Sequence, residues 1–258
     1  MDDPHRIAVY PLVLLVLSFF VLWLLAWIAA SRFRVLRRLM QEEHVEFNVV
    51  QGATLTLLAL IIGFTFSMAL TRYDQRKNLE EEEANAIGTE YLRLDFLPEA
   101  DAMRAKKLLV AYLDERVLFY TTRDEKDLHQ IDARTTSLQN EMWSIVQKGA
   151  SAQPTPPMAV VVMGMNDVLN SQGYTLAAWR NRIPPAAWWL MTAIAACATM
   201  LVGIGLLKPE SGRQLLPIFP LVVSIAFCLI ADIDSPRRGM IRVVPQNLVA
   251  LADSLRSP

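Results

Sequence analysis

Two cysteines and three histidines are all that this chain of 258 residues contains of those residue types. His5, His44 and His129 share no metal-binding spacing, and no C-x-x-C pair, G-x-S-x-G elbow or phosphate-binding glycine loop occurs. No catalytic or metal-binding set emerges from their arrangement. The sequence therefore predicts no enzyme, no catalytic residue and no cofactor. An excess of one charge is missing too: 25 basic residues face 26 acidic ones, for a net charge of −1. A nucleic-acid partner needs a basic face, and this chain has none to give. Nothing alternates for long with the period of a β-strand, and no internal repeat is present. Cys197 and Cys228 both fall in apolar runs, where a thiol acts as a small apolar group.

Uncharged length is what the chain does have. Residues 49–70 read VVQGATLTLLALIIGFTFSMAL without a charge, which suits a helix crossing a hydrocarbon layer of roughly 30 Å. The text then passes straight into charged sequence. No proline follows until Pro98, and Gly88 is the one glycine on the way. One helix should therefore leave the bilayer and run on to about Asp95. Residues 7–30 form another uncharged stretch. A signal peptide fits it poorly, because the n-region is MDDPHR and Arg32, Arg34, Arg37 and Arg38 stand where a cleavage site would lie. Residues 186–207 open on Trp188 and Trp189, which suit a water–lipid interface. Residues 215–231 are shorter, carry Pro217 and Pro220, and end against Asp232. Four spans are expected.

The chain is 53% hydrophobic with a mean hydropathy of +0.28, yet 20% of it is charged, and the charges concentrate in residues 71–185. The division expected is two spans in 1–71, an extramembrane helical domain in 72–185, two more spans in 186–231 and a C-terminal tail in 232–258. Within the domain, 99–122 and 125–148 carry apolar residues at helical spacing. GASAQPTPP at 149–157 reads as a linker, and 158–183 as a helix running back to the membrane. Asn166, Asp167 and Asn170 mark the wet side of that last helix. The fold class is all-α, a bundle of long helices beside four spans.

Projected at about 100° per residue, 49–70 separates into two faces. Gly52, Thr56, Ala59, Gly63 and Ser67 form a small-residue strip that allows helix backbones to approach closely in lipid. Opposite lies a mixed strip: Gln51, Thr54, Leu58, Ile61, Ile62, Thr65, Ala69, Arg72 and Arg76. This strip suits the wall of a water-filled path with an apolar gate. On pattern alone, a buried helix whose threonines bond back to their own carbonyls is the favoured reading.

The stretch GFTFSMALTRYDQRKNLEEEEANAIGTEYLRLDFLP closely resembles a signature of the bestrophin-like membrane proteins of bacteria, as do RNRIPPAAWWL at 180–190 and LIADIDSPRRGMIRV at 229–243. The resemblance covers essentially the whole chain. More distantly it points to the bestrophins, which are ion channels, mostly anion-conducting, assembled as pentamers around an axis lined by the second span. By that resemblance the mixed strip would line a pore, with Ile61, Ile62, Phe64 and Phe66 as neck candidates. The partners implied are the lipid bilayer, further copies of the same chain and inorganic ions. The location implied is a bacterial inner membrane, crossed several times, with termini and helical domain on the cytoplasmic side. The basic residues offer two readings of orientation: Arg32 to Arg38 mark one side, Arg6, Arg72, Arg76, Lys77, Arg180, Arg182, Arg237, Arg238 and Arg242 the other. The second count agrees with the resemblance.

Two acidic groups remain. The run Glu80, Glu81, Glu82, Glu83 suits a solvated helix face, or a ring of charge in an oligomer. Asp232 and Asp234 stand where calcium-responsive bestrophins carry an acidic cluster. Two carboxylates fall short of the roughly six to eight oxygens that calcium takes. A divalent cation, pairing with Arg237 and Arg238, and capping of the next helix are the alternatives, and pairing is favoured. The function expected is an oligomeric ion channel with an axial pore. The alternative is a non-conducting scaffold or sensor that binds a partner through its helical domain.

Overall fold

A computed structural model describes residues 4–32, 44–205 and 212–256. Arg34, Arg37 and Arg38 lie outside these residues, and the side chains of His5, Arg6 and His44 lie outside those described. Every regular element among the described residues is helical. In chain order they are α1 (Pro4–Arg32), α2 (His44–Arg93), a 3-10 turn (Leu94–Phe96), α3 (Glu99–Thr121) and α4 (Glu125–Ala152). Then follow α5 (Pro156–Arg180), α6 (Pro185–Gly205), the short α7 (Gly212–Leu215), α8 (Ile218–Asp234) and α9 (Gln246–Arg256).

The expected continuity of α2 is present: its 50 residues run unbroken, about 75 Å at the rise of an α-helix. Arg93 leads into the 3-10 turn, and Leu97 in extended conformation, followed by Pro98, ends the run. Among the described residues, three helical segments are long and apolar enough to cross a membrane, in the ranges Leu12–Arg32, Val45–Phe96 and Pro156–Gly205. The fourth apolar helix, α8, has 17 residues, shorter than the roughly 20 that an untilted span requires.

The chain divides into two compact units. One holds residues 3–71 and 182–241, the other 72–181 and 242–258. In the first, α1 packs on α6 and α8. Leu22, Ala26 and Ala29 of α1 and Ala195 and Ala198 of α6 are buried. Here small residues bring backbones together: a Cβ on Gly203 would stand 2.5 Å from the Ala26 carbonyl oxygen and 3.1 Å from the Ala29 Cβ. This close contact lies between α1 and α6, away from the small-residue strip that the sequence places on α2.

In the second unit α3 packs on α4, α4 on α5, and α9 on α3. Leu109, Tyr112, Leu113, Met142, Val146, Val161, Met165 and Val168 form its core. Phe119, Tyr120 and Trp179 close one end, with ring centroids 5.0 to 5.5 Å apart. Two boundaries differ from those expected. The helix α4 continues through Gly149, Ala150, Ser151 and Ala152, so the linker shrinks to residues 153–155. Alanine favours the helix, and Pro156 and Pro157 can open α5 because the first helical N–H groups have no internal partner. The residues expected as a tail also carry structure, for Leu248 and Ala252 of α9 are buried.

Candidate functional site

The helix α2 turns its mixed strip toward the rest of the chain. Leu58, Thr65, Ala69 and Arg76 are buried, and Gln51, Thr54, Ile61, Ile62 and Arg72 are half-buried. Gln51 rests against Gly205, whose Cβ would come within 3.3 Å of its amide. The hydroxyls of Thr54, Thr56, Thr65 and Thr71 donate to carbonyls one turn back, at 2.7 to 2.9 Å. An apolar groove of about 510 Å³ separates α2 from α8, lined by Leu58, Ile62, Phe66, Val223, Ala226 and Ile230 among others.

The small-residue strip is exposed, and its Ala59 and Gly63 also border that groove. Gly52, Thr56, Ala59, Gly63 and Ser67 are exposed, and a Cβ on Gly52 or Gly63 would meet nothing within 4 Å. Leu60 and Phe64 join them, Phe64 at 65% exposure. Ile61, Ile62 and Phe66 do not, so the structure separates the four neck candidates: one points outward and three lie against the chain. The exposed face of α1 differs in kind. Leu12, Leu17, Phe20, Leu24 and Trp27 are bulky and apolar, as a lipid-facing helix should be.

The acidic run splits by helical period. Glu81 and Glu82 are exposed, while Glu80 and Glu83 are buried, which corrects the expectation of a solvated face for those two. Glu80 accepts from Asn247 Nδ2 at 2.7 Å and from the Leu248 N–H at 2.9 Å, and so caps the start of α9. Glu83 pairs with Arg116 and accepts from the Thr175 hydroxyl at 3.2 Å and the Tyr120 hydroxyl at 3.4 Å. Burial, then the charge of Glu83, pushes the phenols of Tyr112 and Tyr120 up. Burial alone would lower Arg116, but the charge and hydrogen bond of Glu83, together with Tyr112 and Tyr120, outweigh it and hold the guanidinium charged. Arg76 donates from Nε to the Ala178 carbonyl and from Nη2 to the Asn181 carbonyl, each at 3.3 Å, at the C-terminus of α5. That places its charge on carbonyls left over at a helix end.

Asp232 and Asp234 are buried at the end of α8. Asp232 accepts from the Met240 and Ile241 N–H groups at 2.7 and 2.8 Å. Asp234 accepts from the Ile183 N–H at 3.1 Å. Both carboxylates hold loop amides rather than the start of the next helix, and Asp232 closes the loop after α8. Gly239 is required there, because a Cβ would overlap the Asp232 carbonyl oxygen. Among the described residues no three or more His, Cys, Asp or Glu gather in a way that holds a metal ion.

A family model described as a Bestrophin-like domain matches residues 17–248. Among solved structures, a mutant of a bacterial bestrophin homolog from Klebsiella pneumoniae is similar with a TM-score of 0.66 at 14% identity, covering 95% of this chain and 98% of that one. A second mutant of that homolog gives a TM-score of 0.64 at 14% identity, covering 92% and 98%. A structure described only as a membrane protein gives 0.64 at 13% identity, covering 92% and 98%. These identities establish the fold alone. No curated protein matches the chain.

Proposed function

From the premise that this chain belongs to the bestrophin-like family, we propose that it is the subunit of a homo-oligomeric ion channel whose axial path runs along the open face of α2. The observation that carries this reading is the contrast between two helices of one unit. The outward face of α1 is bulky and apolar throughout, while that of α2 sets a strip of Gly52, Thr56, Ala59, Gly63 and Ser67 beside the exposed Leu57, Leu60, Phe64 and Met68. Small and weakly polar side chains gain little from lipid. They suit contact with a second copy of the same helix, or with a narrow water column. Leu60 and Phe64 stand on that face one turn apart and are the residues to form its dry constriction, with Thr56 on one side and Ser67 on the other. The mixed strip, with Ile61, Ile62 and Phe66, then holds α2 against its own chain.

The finer architecture belongs to the same reading. Residues 49–70 cross the bilayer with α1, α6 and α8, the unit of residues 72–181 and 242–258 stands in the cytoplasm of a bacterium, and the family resemblance suggests five subunits. The test is ion flux in liposomes carrying the purified protein, together with a view of the particle down its symmetry axis. Flux, and a hole bordered by α2, are the expected results. A closed axis with no flux under any ionic condition would assign the protein to the scaffold or sensor class instead.

A further inference from the structure

Glu90 lies twenty residues past the apolar stretch 49–70, in the last turn of α2, and is fully buried. Neither of its carboxylate oxygens has a hydrogen-bond partner. This sets it apart from Glu80 and Glu83 on the same helix, whose carboxylates are held by donors. Its neighbour is the backbone of α5 at Gly164, where a Cβ would overlap both Glu90 Oε2 and Arg93 Nη1. An unpaired carboxylate anion is costly to bury, and a helix C-terminus opposes negative charge further. A neutral carboxyl suffers neither penalty. The charged groups acting on it are Arg93 from its own helix and Asp167 from α5, with opposite effects.

We propose that Glu90 is a proton-operated latch between α2 and α5: neutral, it lets α5 close on α2 at Gly164, and ionised, it turns toward Arg93 and water and loosens that contact. Burial holds the carboxyl up, Arg93 pulls it down, Asp167 pushes it up again, and the balance falls at about 8. Between pH 7 and pH 9 the protonated share then drops from about nine-tenths to about one-tenth. The device therefore responds to alkalinisation near the neutral range. Such a response needs no ligand. It is independent of whether the protein conducts, because none of its tests reads flux.

The experiment uses the full chain in lipid nanodiscs. Infrared difference spectra between pH 6 and pH 10 should show one protonated-carboxyl band that disappears with a midpoint near 8. Glu90→Gln should abolish the band, Asp167→Asn should move the midpoint down, and Arg93→Gln should move it up. Spin labels at Leu92 and Met163, both exposed, should report a longer or broader distance at pH 9 than at pH 7. These labels are read in a background with Cys197 and Cys228 replaced by alanine. In Glu90→Gln that distance should hold its pH 7 value throughout. The wild-type titration requires no variant, so poor folding of Glu90→Gln leaves the test intact. Absence of a carboxyl band titrating between pH 7 and 9 would overturn the latch. So would a band that titrates while the distance stays constant.

Discussion

A buried charge is tolerable when its partner is buried with it, and the pair Glu83 and Arg116 shows the consequence. Both side chains are at most 1% exposed, so removing one strands the other in a medium that solvates it poorly. Arg116→Met should lower stability by about 3–5 kcal/mol, and the double change with Glu83→Leu should recover much of that loss. Circular-dichroism melts of the purified protein would measure both. If the single variant melts with the wild type, the pair carries no such weight. Glu90 acts with the opposite sign. Its carboxyl is raised from 4.5 to about 8 in the folded chain, so between those values the folded state keeps a proton that the unfolded state has lost. Its contribution to stability is therefore full below about pH 4.5 and falls as pH rises through 8. The gap in melting temperature between Glu90→Gln and wild type should widen from pH 5 to pH 9 in favour of the variant. A constant gap would show that the site does not titrate there.

Helix lengths were the most legible property of this chain. The reach of α2 follows from the absence of proline before Pro98, whereas Pro156 and Pro157, which read as linker, open α5. The start of α9 follows less openly, since its first turn is capped by Glu80, which lies 167 residues away in sequence. Which face of a helix is covered was not legible. Angular projection separates the small strip of α2 from the mixed one, but it does not tell which of them meets α6 and α8. That depends on neighbours far along the chain, and the structure turns the mixed strip inward. The close approach of Gly203 to Ala26 was hidden for the same reason. Two substitutions separate these cases. Gly203→Leu should destabilise the subunit itself by about 1–3 kcal/mol, because the Ala26 backbone cannot give way as a flexible side chain would. Gly63→Leu meets nothing within 4 Å in the single chain, so the subunit should still fold while the oligomer weakens. Size-exclusion chromatography in detergent, read beside thermal melts, should show loss of folded protein for the first variant and loss of assembly for the second. Unchanged assembly in Gly63→Leu would mean that the open strip of α2 faces lipid.

At the scale of the molecule, the question is which side chains meet the axis once several copies of α2 surround it. Burial within one chain supports the open face of α2. Ile61, Ile62 and Phe66 are half-buried against their own chain, whereas Leu60 and Phe64 project outward at 52% and 65% exposure. A dry constriction resists ions because they must shed water to pass, and a polar group there lowers that barrier. Phe64→Ser should therefore raise ion flux in liposomes by about tenfold or more, equivalent to a barrier lower by about 1.4 kcal/mol. Leu60→Ser should act in the same direction. Ile61→Ser is the informative control. The projection onto the mixed strip would have it open the path, while the observed burial has it weaken packing inside the subunit and leave conductance per channel unchanged. Single-channel recording separates these outcomes, since it reads conductance independently of how many subunits survive purification. Larger unitary conductance in Phe64→Ser with wild-type conductance in Ile61→Ser places the path on the open face. The reverse result would return it to the mixed strip and require α2 to rotate on assembly.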